Sequence, residues 1–323
     1  MYLIFRMKKL LQMSCVIALV LVGSVMLLGC GRNDPYCDPI QRPEVEFAGG
    51  TGISSDPFLI ASGIHMNQVR YSPDSYFKII NDIVLTGQWA PIPNFTGVLD
   101  GDDFTISNMR HHATISGSLN TTVRLGLFQS LSGVAKNFTL ANSSIIIGSN
   151  HRGSGWIDAG LVAGNLAPTG IIENVMVVGA SRVEIHRHQS RIAAIVGTSS
   201  GTVRNCTVIG TEVRGNGDSA GIIGGMFGGS VDNNSVSNLY IWHHRTGADR
   251  GIGLVVGFSD NGHLRDNIAM YSRIHRDNIG GRFGVLAGNH INRPGRIVNG
   301  NSWSGITQRM PNGATQNMNN QFG

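Results

Sequence analysis

Histidine and arginine recur together in one phase of this chain: His151-Arg152, His186-Arg187-His188, His243-His244-Arg245 and His275-Arg276, with only Arg214 in the intervening stretch. A planar guanidinium meets a carboxylate, sulfate or phosphate through parallel hydrogen bonds, and an imidazole adds partial charge near neutrality. Lined up at equal phase along a repeat, these residues form a candidate ridge for an anionic polymer such as an acidic glycan. Trp156 and Trp242 stand beside the same loops, placed to stack on sugar faces. Asp158, Asp218, Asp249 and Asp277 are also near. The competing reading is therefore a solvated edge whose cations pair with their own acids.

Other constellations carry less. His186 and His188, two residues apart, would project to one face of a strand, a workable start for a transition metal, but no fixed carboxylate completes the set. Asp100-Gly101-Asp102-Asp103 offers hard oxygen for calcium, yet lacks the distal glutamate of a known loop and reads as a turn before a strand. Glu173, Asp232 and Asp266 share a repeat phase. Carboxylates about 5 to 9.5 Å apart could hydrolyse a glycosidic bond. Pairing with Arg204 and Arg265 explains them more simply. No metal, cofactor or catalytic residue is assigned.

The elements that must position these groups follow from a repeat. A Gly-apolar-apolar-x-Gly phrase starts at residues 126, 160, 193, 221, 253 and 284, with Ala193 and Ser130 as variants. A second phrase, apolar-x-Asn, follows each, as in Val134 to Asn137, Ile172 to Asn174, Val203 to Asn205, Val231 to Asn233 and Ile297 to Asn299; Asp266 stands where one asparagine is expected. A fixed period of this length means stacked units sharing one core. The apolar runs are short, β-branched and bounded by Gly, Asn, Ser and Asp, so they read as strands. The expected fold is all-β, a right-handed parallel β-helix (a solenoid) with an N-terminal cap. Glycine is expected to reach backbone angles closed to other residues, and asparagine to adopt the left-handed conformation and ladder its amides.

Residues 1–29 read as a signal peptide, with Arg6, Lys8 and Lys9 ahead of an apolar run too short for a stable span. Removing those three from 25 basic residues leaves 22 against 20 acidic, and only Lys78 and Lys136 of these are lysine. The expected organisation is a tether over 30–45, a cap and first coils over 46–122, repeats over 123–308 and a polar tail over 309–323. Cys37 and Cys206 leave a disulfide open, and no zinc-type cysteine spacing exists.

Two resemblances add to this. Leu27-Leu28-Gly29-Cys30 resembles the lipobox of bacterial lipoproteins, which implies a lipidated Cys30 and anchoring to the outer membrane or cell surface. Gly160 to Gly164 and Gly253 to Gly257 resemble the namesake phrase of the GLUG-repeat proteins of bacterial surfaces. Trp89 to Gly101, Phe104 to Asn108 and the Asp56-Pro57-Phe58 start resemble that family's lead-in. The resemblance implies secreted or surface-attached modules of adhesins or larger peptidases, with no catalytic residues of their own. The expectation is a monomeric surface binding or adhesion module for an anionic glycan or host surface, with no nucleic-acid partner. A polysaccharide-active lyase or hydrolase and a structural spacer are the alternatives.

Overall fold

A computed structural model describes residues 46–115, 117–149, 153–244, 250–277, 282–290, 298–310 and 313–318. Cys30, Cys37, His151, Arg152 and Arg245 lie outside the described residues. Among the described residues, no helix is long and apolar enough to cross a membrane.

The chain winds into a parallel β-helix. Each full coil visits a long sheet, then an eight-stranded sheet, then two six-stranded sheets, before returning one coil further on. A typical coil runs through Ile171–Val178, Arg182–Ile185, Ser190–Ala193 and Val196–Ser199. Alternation within these strands sends Ile172, Val183, Ile185 and Ile192 into a core where each is fully buried. Stacked phenylalanines fill the N-terminal coils, with Phe47, Phe58, Phe77, Phe95 and Phe128 in ring contact one to the next at 4.5 to 6.0 Å. Before the full coils, the strand Phe58–Ile60 pairs with Tyr76–Ile79, and the short helix Gly63–Gln68 opens on a Ser62 cap.

Asparagine does the turning. Asn137, Asn174, Asn205, Asn233 and Asp266 all sit at φ between 53° and 56°, where the short polar side chain tolerates the left-handed region. Their amides ladder, as in Asn174 to Asn137 at 3.0 Å and Asn233 to Asn205 at 2.7 Å. A second, buried ladder runs from Asn234 through Asn267 to Asn301, each step 2.9 Å.

The repeated glycine phrase works differently from the expectation. Its glycines are absent from the positive-φ residues; what they supply is the lack of a side chain. The phrase is the bend between the two six-stranded sheets, and its closing glycine lies against the strand before the bend. A Cβ on Gly197 would stand 2.4 Å from the Ala159 amide nitrogen, and one on Gly224 would stand 2.5 Å from that of Ile192. The register also moves one repeat: Ile223 pairs with Val196, so the fourth phrase closes at Gly224 and not at Gly225.

Charge on the outer faces is ordered by coil. On the long sheet Lys78, Asp100, Lys136, Glu173, Arg204, Asp232 and Arg265 stand side by side in register, alternating in sign throughout. Lys136 pairs with Asp100, Arg204 with Glu173 and Arg265 with Asp232, at 2.9 to 3.3 Å. Asp102 pairs with Lys78 at 3.0 Å, so Asp100 and Asp102 of the acidic turn are both committed to neighbouring lysines.

Candidate functional site

The eight-stranded sheet and its strand ends carry the described histidines and arginines of the candidate ridge, and the alternation of its strands decides which of them reach solvent. Val183, Val213, Ile241 and Ile274 form the inward row. One outward row is Arg182, Glu212, Tyr240, Arg273 and Thr307. The next is Glu184, Arg214, Trp242, His275 and Arg309. Beyond it come His186, His244 and Asp277 at the strand ends.

The expected single ridge therefore divides. His186, His244 and His275 gather on the outer face. His243 and Arg276 are buried, as is Arg187, because they fall on the opposite parity of the same strands or of their continuation. His243 is fully buried, and its Nε2 sits 2.8 Å from the Gly217 carbonyl. Burial pulls its pKa down to about 4, with Arg276 as a further cause. Arg187 donates to the carbonyls of Gly153 and Gly155 at 2.8 and 2.7 Å and to Gln189 at 2.7 Å. It fastens a loop. His188 is exposed.

Outer-face histidines are tied to acids. His186 bonds Glu184 at 2.6 Å, and Glu184 also pairs with Arg182. Asp277 accepts from three groups at 3.1 Å: Trp242 Nε1, His244 Nδ1 and His275 Nε2. Burial lowers the pKa of His186, helped by Arg182 and Arg214. It also lowers that of His244, where His186 adds to burial and Asp277 opposes it. Among the described residues no three His, Cys, Asp or Glu side chains converge as a metal would require.

The tryptophans have partners already. The Trp242 ring is stacked on His275 at 5.3 Å and faces the Arg214 guanidinium at 5.0 Å. Trp156 takes the guanidinium groups of Arg191 and Arg250 at 4.2 and 4.6 Å. Those arginines neutralise Asp158 at 2.8 Å and Asp218 at 3.6 Å. Burial still raises both carboxyls, that of Asp218 to about 6. The indoles thus serve the protein's own cations, and stacking on sugar would require displacing them.

One region of this face stays open. A groove of about 600 Å³ lies at the C-terminal end of the sheet, where Thr315–Asn317 folds back antiparallel on Thr307–Arg309. It is lined by Tyr240, Arg273, Ile274, His275, Thr307, Arg309 and Thr315. Arg273 and Arg309 are both exposed and form no ion pair with the described residues. The Tyr240 hydroxyl lies 3.4 Å from His275 Nδ1. Here two guanidinium groups without an ion pair among the described residues, a phenol and an imidazole share one concavity, which suits an anionic ligand with polar oxygens. Of these residues only His275 belongs to the sequence-derived set. The signal for the rest was the strict alternation Tyr240-Ile241-Trp242 and Arg273-Ile274-His275, which marks outward strand positions two residues ahead of the loops.

No protein-family model matches the sequence. The chain is 31% identical over 168 residues to Halomucin of Haloquadratum walsbyi, a match over 47% of this chain and about 2% of that much longer protein. It superimposes with a TM-score of 0.62 on the crystal structure of a candidate immunoglobulin A1 protease from Bacteroides ovatus, over 88% of this chain and 86% of the other. At 16% identity that likeness is one of fold, and it places this chain among parallel β-helix proteins.

Proposed function

We propose that this chain is a surface-displayed binding module for acidic glycans, lipid-anchored at Cys30 and engaging its ligand in the groove beside Tyr240. The carrying observation is that Arg273 and Arg309 line the groove with no ion pair among the described residues, while Arg182 and Arg214 on the same face are committed to Glu184 and Glu212. Guanidinium groups left without a counter-ion at a concave site are the ones available to a ligand carboxylate or sulfate. The similarity to a protein named as a mucin, and the lipobox-like Leu27 to Cys30, support an extracellular setting.

The test is binding of the purified protein to immobilised acidic and neutral glycans across a salt series. Arg273→Ala with Arg309→Ala is expected to weaken binding to acidic glycans at least tenfold and to flatten its salt dependence. Arg204→Ala, on the far sheet, should leave binding unchanged. Equal binding by the double variant would reject the groove as the site. Absence of binding to any glycan would favour the structural spacer, a reading that the self-neutralising charge ladders support.

A further inference from the structure

The groove holds more than a binding site needs. Asp277 Oδ1 lies 3.1 Å from His275 Nε2, and His275 Nδ1 lies 3.4 Å from the Tyr240 hydroxyl. A carboxylate on one imidazole nitrogen fixes the tautomer with the proton there, leaving the other nitrogen as an acceptor. Here the acceptor faces a phenol. The imidazole cannot easily turn away, because it lies stacked against Trp242 with 19° between the planes. Asp277 is itself held by Trp242 Nε1 and His244, so the whole line is positioned.

We propose that this groove catalyses β-elimination in uronate-containing polysaccharides, with Tyr240 as the catalytic acid–base. This rests on the reading of the groove as an acidic-glycan site. In a uronate the C5 hydrogen is α to the carboxylate, and its removal is resisted by the negative charge that develops there. Arg273 and Arg309 flank the groove from neighbouring coils, with Cα positions about 8 Å apart by strand geometry. Contact of either guanidinium with the carboxylate offsets that charge. Tyr240 oxygen takes the C5 proton as its own proton passes to His275 Nδ1, giving an imidazolium that Asp277 stabilises. The C4–O4 bond breaks, a C4–C5 double bond forms, and Tyr240 delivers the proton it took to the departing O4. His275 then returns its proton to Tyr240. One hydrogen moves from C5 to O4, no oxidant or metal is consumed, and the protein ends as it began.

Three properties separate this from a passive arrangement. The acid–base pair sits in the same concavity as Arg273 and Arg309. The line runs outward from Asp277, fixed by three donors, to the hydroxyl at the groove. Tyr240 is only half-buried and lines the groove, so its hydroxyl can meet a substrate while remaining within reach of His275.

The experiment incubates the purified protein with polygalacturonate, alginate, hyaluronan and chondroitin. It follows the ultraviolet absorbance of the conjugated unsaturated uronate, and binding to each polymer is measured in parallel. The expected result is absorbance growth on at least one polymer. Tyr240→Phe should lose at least a hundredfold in rate while binding stays within about threefold, the size of effect that acid–base groups contribute. His275→Gln should lower the rate with little change in binding. Binding without any unsaturated product would overturn the elimination and leave the binding function standing. Product formed equally fast by Tyr240→Phe would overturn the assignment of Tyr240. No binding to any polymer would overturn both.

Discussion

His243 and His244 are neighbours in sequence and belong to different environments. His244 faces outward to Asp277, whereas His243 is sealed in the solenoid against the Gly217 carbonyl. A buried neutral imidazole makes folding depend on pH in a defined direction. Its folded pKa, about 4, lies below the ordinary histidine value of about 6.5, so the unfolded chain binds the extra proton first. The contribution is intact above about pH 6.5 and is lost as pH falls toward 4, reaching on the order of 3 kcal/mol. Asp218, raised to about 6, works the other way over much of the same interval, since its folded form takes up a proton before the unfolded chain does. Thermal melts between pH 4 and 7 should therefore show a shallow acid decline in the parent. His243→Gln should make the decline shallower or reverse it, and Asp218→Asn should steepen it. Unchanged slopes in both variants would contradict this account. At this scale the sequence was only partly legible. The His and Arg clusters were visible, but whether each side chain points in or out depends on strand parity. A one-residue difference put His243, Arg276 and Arg187 out of solvent and left His186, His244 and His275 in it.

At the scale of elements, the repeat was the most readable part of the chain. The period, the strands and the left-handed asparagines follow from residue type and spacing, because each coil repeats the same steric demand. The role of glycine was misread because a backbone-angle requirement and a close-approach requirement select the same residue. The two are separable by substitution. Gly197→Val would force a branched side chain onto the Ala159 backbone and the Gly164 carbonyl, neither of which can retreat without moving a coil. The expected cost is at least about 3 kcal/mol, at the severe end for a single substitution. Gly225→Ala meets side chains and no backbone, Arg191 Cδ at 2.6 Å and the Phe227 ring at 3.4 Å, and should cost less, about 1 to 2 kcal/mol. Chemical denaturation of both variants decides the matter. Equal losses would mean that the seam is not where the tolerance is lowest. The fourth phrase shifted by one residue for the same reason: two adjacent glycines look alike on paper, and only the packing tells Gly224 from Gly225.

For the molecule as a whole, the near-balance of charge has a spatial form. Acids and bases alternate coil by coil on the long sheet, and Arg124, Asp158, Arg191 and Asp218 do the same on a six-stranded sheet. Exposed pairs of this kind contribute little individually, about 0 to 1 kcal/mol each. Their collective effect is on register, since a slip by one coil sets like charges opposite along two faces at once. Reversing one member, Arg204→Glu, should cost about 1 kcal/mol, because it places a third acid between Glu173 and Asp232. Arg204→Gln, which gives up the attraction without setting like charges side by side, should cost less than Arg204→Glu. Equal losses on chemical denaturation would show that the ladder is incidental. The carboxylate row at Glu173 and Asp232 is accounted for here without catalysis, as the neighbouring arginines in the sequence suggested. The groove, in contrast, could not be read in advance, because it depends on a final strand folding back antiparallel across residues far from it in the repeat.

The alternation also bears on how such a chain can change in length over generations. Excising residues 171–201 joins Gly170 to Thr202 in register and removes one coil, but it brings Lys136 beside Arg204 and Asp158 beside Asp218. Excising residues 171–229 removes two coils and restores opposite signs along the long sheet, with Lys136 now beside Asp232. Growth and shrinkage by duplication or loss should therefore be tolerated in pairs and resisted singly. The inherited quantum of length in this solenoid is two coils, although the sequence repeats every one.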